Sequence, residues 1–315
     1  MKNIVKAGIM GVCIGDALGV PVEFKNREYL KQFPVTEMQE FGSHNQPKGT
    51  WSDDSSLTLC LAEVLTKGYD LEKIGKSFVK WVKYGHWTAH GRLFDIGVAT
   101  RNAITRLIKG ESARFSGGVF EEDNGNGSLV RILPLAFYLK DEENIVKIYQ
   151  MVKEVSTITH GHFRSVFACF IYVIFAIQLI KGKNKTVAYT HVQNVVMEYA
   201  EIQWFSLSEV ELFHRVLNND ISGYSEDEIK GSGYVLHSLE ASLWCFLNSE
   251  SYSEAVLKAV NLGEDTDTTG AITGGLAGIY YGFENIPQKW INDLARKDDI
   301  EKLCEKLNNK YPVSE

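Results

Sequence analysis

The chain has 315 residues, of which 44% are hydrophobic and 23% charged, and its formal net charge is −7. This composition is typical of a soluble globular protein with one large domain or two ordinary ones. Binding to a nucleic-acid backbone needs clustered lysines and arginines, so the negative charge and the lack of a dominant basic block argue against nucleic acid as a partner.

The five cysteines are far apart and form no CxxC motif, which argues against a zinc knuckle or a redox pair. Widely spaced, unpaired cysteines suit a reducing compartment. The start of the chain lacks the run length and the cleavage pattern of a secretion signal. The most apolar stretch, residues 166–180, is short for a membrane span and has the length of a buried core helix. We therefore expect a cytoplasmic protein with no membrane partner.

Helical periodicity dominates the chain, because apolar residues recur at three- and four-residue spacing and strictly alternating runs are scarce. No linker rich in Pro, Gly or Ser and no repeat of fixed period interrupts this pattern. The sequence predicts one all-α domain over residues 1–315, a compact orthogonal helical bundle. The predicted helices are residues 4–18, 57–65, 74–82, 98–107, 129–138, 145–158, 163–180, 187–199, 210–217, 235–246, 255–260, 272–281 and 300–307.

The first predicted helix carries glycines on one ridge, Gly11, Gly15 and Gly19, with Gly8 one turn earlier. A glycine inside a helix costs roughly 1 kcal/mol relative to alanine, so several of them require compensation. Close approach of a neighbouring backbone is the natural explanation. Membrane dimerisation through GxxxG is the alternative, which Asp16 disfavours.

Glu23 follows this first helix. Pro21 ends the helix and leaves the Glu23 carboxylate just beyond it, where it can face a cleft. An isolated glutamate in such a position is usually a surface residue, so its role depends on what lies beside it.

An acidic cluster, Ser52, Asp53, Asp54 and Ser55, opens the next helix. Its carboxylates and hydroxyls, with no cysteine or histidine beside them, are the ligand types of Mg²⁺, Mn²⁺ or Ca²⁺. Helix capping is an equal alternative for this cluster alone, because serine and aspartate are preferred N-cap residues.

Two features follow in the middle of the chain. Asp95 stands ahead of a helix, and its position slightly favours an N-cap. Residues 124–128, Asn-Gly-Asn-Gly-Ser, precede another helix and could form a cradle for a diphosphate. A plain turn with a serine cap is an equal alternative, and the absence of a following Gly-Lys-Ser/Thr excludes a P-loop.

Two histidine pairs also stand out. His160 and His162 lie between two helices and could bind a metal or a substrate, although histidines at helix ends commonly interact with terminal carbonyls. His86 and His90 have no acidic residue or third histidine beside them, so we interpret them as structural.

A second acidic cluster, residues 265–268 (Asp-Thr-Asp-Thr), precedes a second glycine ridge at Gly270, Gly274, Gly278 and Gly282. One aspartate is enough to cap a helix, so two matched clusters shift the balance from capping towards ligation. If the two ridged helices touch, Asp16 and Glu23 lie near this second cluster. Carboxylates at such short distances repel each other unless cations neutralise them.

Taken in order, these segments resemble the ADP-ribosylglycohydrolases, the family of the dinitrogenase reductase-activating glycohydrolase and the vertebrate ADP-ribosyl-acceptor hydrolases. The resemblance spans about residues 5–290. The matching segments are residues 15–19 with Glu23, residues 51–55, residues 94–97, residues 124–128 with Arg131, residues 159–160, and residues 263–268 continuing through the glycine ridge.

The resemblance implies an all-α fold with a cleft that holds two divalent cations, Mg²⁺ or Mn²⁺. The family often has threonine at the position of Ser52, and both residues offer a hydroxyl oxygen. The metal ligands that it implies are Ser52, Asp53, Asp54, Asp265, Asp267 and Thr268.

It also implies that Glu23 and Asp95 are the catalytic carboxylates, and which of them is the general base stays open. His160 would contact the substrate. The loop that would hold the diphosphate consists of Asn124, Gly125, Asn126, Gly127 and Ser128.

The implied reaction is metal-dependent hydrolysis of the glycosidic bond between ADP-ribose and an acceptor. Its partner would be an ADP-ribosylated protein or a small-molecule ADP-ribose conjugate, bound by a monomer. Protein ADP-ribosyl-arginine is favoured, because the chain resembles the reductase-activating branch most. The alternatives are hydrolysis of serine-linked ADP-ribose or O-acetyl-ADP-ribose, and a non-catalytic ADP-ribose-binding module.

Overall fold

The computed structural model describes residues 3–313, and in this range every regular element is a helix, with only isolated β-bridges between loops. The all-α prediction is confirmed. In chain order the α-helices are α1 (Ile4–Gly19), α2 (Arg27–Gln32), α3 (Asp53–Leu65), α4 (Leu71–Tyr84), α5 (Val98–Ile108), α6 (Gly127–Arg131), α7 (Leu133–Leu139), α8 (Ile145–Thr157), α9 (Phe163–Ile180), α10 (Lys185–Ile202), α11 (Leu207–Glu211), α12 (His214–Leu217), α13 (Val235–Leu247), α14 (Tyr252–Asn261), α15 (Thr266–Tyr281), α16 (Gln288–Asp293) and α17 (Lys297–Lys310).

Two predicted helices are each divided into two shorter helices in the structure. The helix predicted over 129–138 is divided into α6 and α7, where Pro134 occupies the first turn of α7 and cannot donate a backbone hydrogen bond. The helix predicted over 210–217 is divided into the short helices α11 and α12. Both corrections concern local breaks that apolar periodicity does not report.

Two segments, Ile4–Val22 and α9, are long and apolar enough to cross a membrane by length and composition. In each of them 89% of the apolar window is buried inside the fold, as expected of a core helix. Helix α9 spans Phe163–Ile180, as its apolar periodicity predicted. All five cysteines are buried and free.

Helices α1 and α15 pack backbone against backbone, as the glycine ridges predicted. A Cβ atom added to Gly11 would overlap the carbonyl oxygen of Gly274, and one added to Gly274 would overlap the carbonyl oxygen of Gly11. Gly15 and Gly270 form the same reciprocal contact. The cost of glycine in these helices is therefore offset by a close helix pair at the centre of the fold.

The ridges differ from the prediction at one end. Gly282 has φ +90° and ends α15, so it is a C-terminal cap and lies outside the packed ridge. At the other end, a Cβ on Gly19 would overlap the backbone of Asp267. The Thr266 hydroxyl also donates a hydrogen bond to the Gly19 carbonyl over 2.8 Å. The helix pair thus fixes the start of α15 against the end of α1, where the candidate site lies.

Replacement of Gly274 by alanine is expected to lower the free energy of unfolding by about 1–3 kcal/mol or more, because the new methyl group overlaps rigid backbone. Helix propensity alone predicts the opposite sign, a gain of roughly 1 kcal/mol. Urea or thermal unfolding measures the change. Gly223→Ala is the matched control, because a Cβ there meets nothing within 4 Å. An equally stable Gly274→Ala variant would contradict the close packing of the two helices.

Candidate active site

One cavity of about 290 Å³ brings together most of the residues that the sequence singled out. The two acidic clusters, more than two hundred residues apart in sequence, line the same space as predicted, and so do Gly125, Asn126, Gly127 and His160. The carboxylates that line it are Glu23, Asp53, Asp54, Glu122, Asp95, Asp265 and Asp267. The helix pair α1–α15 and the start of α3 position most of them.

Direct contacts connect the clusters. The Thr268 hydroxyl, in the first turn of α15, donates a hydrogen bond of 2.7 Å to the Asp54 carboxylate at the start of α3. Carboxylate oxygens of Glu23, Asp265 and Asp267 lie within 4.8 Å of one another. Such a spacing brings three acidic side chains within reach of one cation.

Asp16 supports this arrangement from inside the fold. It is fully buried on α1 and accepts hydrogen bonds from the backbone amides of Ser52 and Ser55, over 2.9 and 3.0 Å. Burial raises the pKa of Asp16 to about 6, while these hydrogen bonds lower it. Asp16 therefore anchors the first turn of α3, a role that its helical sequence position did not indicate.

No lysine or arginine neutralises the acidic group in the part of the chain that the structure describes. Its one ion pair joins Glu23 to His44. The nearby Arg131 is fully buried, and its guanidinium donates to backbone carbonyls instead. Burial, followed by repulsion from neighbouring carboxylates, raises the pKa of Asp54 and Asp267 well above the usual range. Buried oxygen donors without a neutralising lysine or arginine fit hard divalent cations.

Capping explains part of the two acidic clusters. Ser52 is the N-cap of α3, and its hydroxyl accepts a hydrogen bond of 3.2 Å from the Asp54 amide. Asp265 occupies the N-cap position of α15 but its side chain makes no capping bond, and it accepts a 2.7 Å hydrogen bond from the Asn126 amide group. Ligation by Ser52 stays a prediction, and capping does not account for Asp265.

The interpretation of Asp95 as an N-cap is wrong. Helix α5 begins at Val98 with Gly97 at its N-cap, so Asp95 lies in the preceding loop. There its carboxylate oxygen comes within 4.8 Å of ligand atoms of Glu23 and His44. The extended backbone of Gly97 separates Asp95 from the helix and leaves its side chain at the cavity.

The predicted diphosphate loop is only partly exposed to the cavity. Gly125, Asn126 and Gly127 line it, but the side chains of Asn124 and Ser128 do not. Asn124 accepts a 3.2 Å hydrogen bond from a serine of α9, and Ser128 accepts one of 3.0 Å from a serine of α8. These two side chains thus fix the loop in the interior, and substrate binding by the loop stays a prediction.

His160 reaches the cavity although it is only 2% exposed. Its Nδ1 atom pairs with the Thr159 hydroxyl over 2.7 Å, and burial lowers its pKa to about 3. The ring is therefore neutral, which suits a hydrogen bond to a substrate rather than an ionic contact with it. The expectation that helix-end histidines contact terminal carbonyls is wrong for His162, which caps α9 by accepting from the Arg164 amide.

Sequence reasoning missed His44. Its Nε2 atom hydrogen bonds to Glu23 Oε2, and no acidic residue adjoins it in sequence to signal this role. Burial raises the pKa of Glu23 to about 7, the bond from His44 lowers it, and the charge of Asp95 raises it. His86, which we took to have no acidic partner, pairs with Glu63 over 2.8 Å outside this cavity.

Divalent cations are expected to stabilise the protein more at about pH 8 than at about pH 5. Buried carboxyls with raised pKa values stabilise the metal-free fold below their unfolded pKa, near 4, and this contribution is lost as pH rises through about 6 for Asp16 and about 7 for Glu23. Ionised carboxylates also bind cations that protons no longer displace. Melting temperatures with Mg²⁺, with Mn²⁺ and with EDTA across this range measure the difference. A metal-induced shift independent of pH would contradict the carboxylate site.

Comparisons with known proteins identify the family of the chain. A family model described as ADP-ribosylglycohydrolase matches residues 1–315. The ADP-ribosylarginine hydrolase Tri1 of Serratia proteamaculans is 32% identical over 307 residues, covering 96% of this chain and 78% of that protein. An ADP-ribosyl-(dinitrogen reductase) glycohydrolase of Rhodospirillum rubrum is 27% identical, covering 93% of this chain and 90% of its own length. A solved structure described as an ADP-ribosylglycohydrolase-related protein complex is 28% identical, with a TM-score of 0.81 and 98% of both chains covered. Because this family model matches the whole of residues 1–315, the chain belongs to the ADP-ribosylglycohydrolase family.

Proposed function

We propose that the protein hydrolyses the glycosidic bond between ADP-ribose and an acceptor, and that the acceptor is an arginine side chain of a protein. The cavity, in which two distant acidic clusters meet without a neutralising lysine or arginine, is the observation that carries this proposal. The arginine linkage is supported by two relatives named ADP-ribosylarginine hydrolase, which are 32% and 30% identical to this chain. We also propose that it acts as a monomer in the cytoplasm, a reducing compartment that suits its five free cysteines.

We propose that the site binds two divalent cations, Mg²⁺ or Mn²⁺. The residues that would hold them are Ser52, Asp53, Asp54, Asp265, Asp267 and Thr268. Cations in such a site orient sugar hydroxyls and lower the pKa of a bound water. The oxygen donors, and the absence of a lysine or arginine partner for them among the described residues, support this ligand set.

The side chains of the protein would carry the proton transfers. Cleavage of a ribosyl bond develops positive charge on the sugar, and nearby carboxylates stabilise that charge. Glu23, with a pKa raised to about 7, can take a proton from the attacking water or give one to the leaving group near neutral pH. Asp95, close to Glu23, is the second candidate for either step.

The backbone of Gly125 and Gly127 would lie against the diphosphate, because neither residue has a side chain to keep the ligand away. The His160 ring lies beside this backbone, since a Cβ on Gly127 would be 3.1 Å from the ring. Its neutral imidazole would contribute a hydrogen bond to the substrate without repelling or neutralising the phosphates.

A panel of substrates with defined linkages tests the activity. Arginine-linked, serine-linked and O-acetyl-ADP-ribose would each be incubated with the protein and Mg²⁺, Mn²⁺ or EDTA, and released ADP-ribose measured. We expect release from the arginine linkage with metal and none with EDTA. Release from the serine or acetyl linkage alone would reassign the acceptor. Binding of ADP-ribose without release from any linkage would mean that the chain is a binding module.

A further inference from the structure

The loop of residues 41–46 is a strained structure folded against the segment that carries Glu23. Its ends pair through two backbone hydrogen bonds between Phe41 and Gln46, of 2.6 and 3.3 Å. Phe41 and Asn45 both have positive φ, 65° and 52°, a backbone conformation that residues other than glycine rarely adopt. Such strain persists where the surroundings enforce it and concentrates at functional sites.

Two contacts bind this loop to the backbone around Glu23. Gly42 lies so close to Pro21 that a Cβ atom would overlap the Pro21 carbonyl oxygen, and its φ of +53° also favours glycine. The Ser43 hydroxyl donates a hydrogen bond of 2.6 Å to the Glu23 carbonyl. The loop is therefore held at a fixed distance from the candidate catalytic carboxylate.

The loop places His44 on the Glu23 side chain. The His44 side chain is 13% exposed, that of Glu23 is 7% exposed, and Nε2 of the ring bonds to Oε2 of the carboxylate. The His44 ring also packs beside Phe24, with centroids 5.8 Å apart, and beside Phe94, at 5.2 Å. These two phenylalanine rings restrict the rotation of the His44 ring. Oε1 of Glu23 has no hydrogen bond from any residue in the range 3–313.

We infer that His44 is a positioning residue for Glu23: it holds one carboxylate oxygen so that the other is presented to the reacting atoms. This inference rests on the proposed hydrolase function of the same cavity. The structural requirement is a fixed N–H donor at the place of Nε2, because a carboxylate bound through one oxygen loses most of its rotational freedom.

Two variants separate positioning from packing. His44→Gln retains an amide N–H near the place of Nε2, whereas His44→Leu fills similar space without a donor. We expect His44→Leu to lower kcat by about 10–100-fold, as for other side chains that orient a functional group, with KM little changed. His44→Gln should recover most of this loss. His90→Leu is the control, because His90 bonds to Thr50 outside the catalytic carboxylates and should leave kcat unchanged.

The outcomes are distinct. An equal loss in the leucine and glutamine variants would show that His44 acts by packing alone, and an unchanged kcat in His44→Leu would show that Glu23 needs no positioning; either would overturn the inference. Melting temperatures identify any variant that fails to fold.

A second measurement does not depend on turnover. In the metal-free protein, the ring nitrogen resonances of His44, assigned by their loss in His44→Gln, should shift in Glu23→Gln. Resonances that do not shift would overturn the contact itself. If the wild-type protein hydrolysed no linkage, the proposed function would fail, and this measurement would still decide whether His44 holds Glu23.

Discussion

Asp267→Asn is expected to remove most metal binding and to lower hydrolysis of an ADP-ribosylated substrate by about 100-fold or more, at the upper end of losses at metal sites. Asp267 is 2% exposed at the start of α15, and its carboxylate oxygens lie within 4.8 Å of those of Glu23 and Asp265. Asparagine keeps the size of the side chain and can accept the 2.9 Å hydrogen bond from the Thr268 amide. The variant therefore changes little except one negative charge.

The same variant should not destabilise the metal-free fold. Burial and the charges of Glu23 and Asp265 raise the pKa of Asp267 well above its usual range, so the ionised form is already disfavoured there. A neutral amide relieves that repulsion, and the melting temperature in EDTA should be equal or higher. Lost activity with retained stability would then identify a binding defect rather than unfolding.

Calorimetric titration with Mn²⁺ and a turnover assay measure the two effects. Asp227→Asn is the matched control, since the side chain of Asp227 is 85% exposed and lies outside the cavity. Wild-type metal affinity and turnover in Asp267→Asn would be incompatible with a metal centre at the two acidic clusters.

The sequence predicted the helix pair because the two glycine ridges leave a periodic signal. Glycines at four-residue spacing imply a costly helix, and the cost requires a close neighbour. Since the pair α1–α15 fixes the start of α15, it follows that residues 265–268 lie near the end of α1, where Thr266 contacts Gly19. Spacing and energetics therefore predicted which end of α1 the second cluster would meet, whereas the first cluster was assigned to the same site only through the family resemblance.

The positions of Asp95 and His44 could not be predicted in the same way. Whether Asp95 caps a helix depends on where that helix begins, and helix boundaries shift by a few residues with no change in pattern. His44 meets a glutamate 21 residues away through a loop with two strained residues. Strained loops are set by their tertiary surroundings, so no local propensity reports them.

The loop 124–128 shows a third limit. Its sequence indicated a loop that lines the cavity, but not which of its side chains face that cavity. Asn124 and Ser128 turn inward because serines of α9 and α8, 41 and 28 residues away, provide hydrogen-bond partners for them. Burying a polar side chain without a partner is costly, so these distant hydroxyls determine the orientation.

Glu23→Gln is expected to reduce turnover by about 10²–10⁴-fold, the contribution of a general acid or base, while metal occupancy persists. Glu23 is a stronger candidate for this role than Asp95. It is 6% exposed, burial raises its pKa to about 7, and His44 hydrogen bonds to one of its carboxylate oxygens. Glutamine keeps the size of the side chain but cannot exchange a proton. Asp95 is a half-buried neighbour of Glu23. If Asp95 only adjusts the charge around Glu23, the Asp95→Asn variant should lose less turnover than Glu23→Gln.

Turnover and metal content, measured on the same preparations, distinguish a role in proton transfer from a role in metal binding for these two carboxylates. A variant that loses turnover and keeps its metal has lost the proton-transfer group. A variant that loses both has lost a ligand or its support. A larger loss in Asp95→Asn than in Glu23→Gln, at equal metal content, would assign the general base to Asp95. Wild-type turnover in both variants would exclude proton transfer by either residue, and a water activated without a protein base would then have to account for hydrolysis.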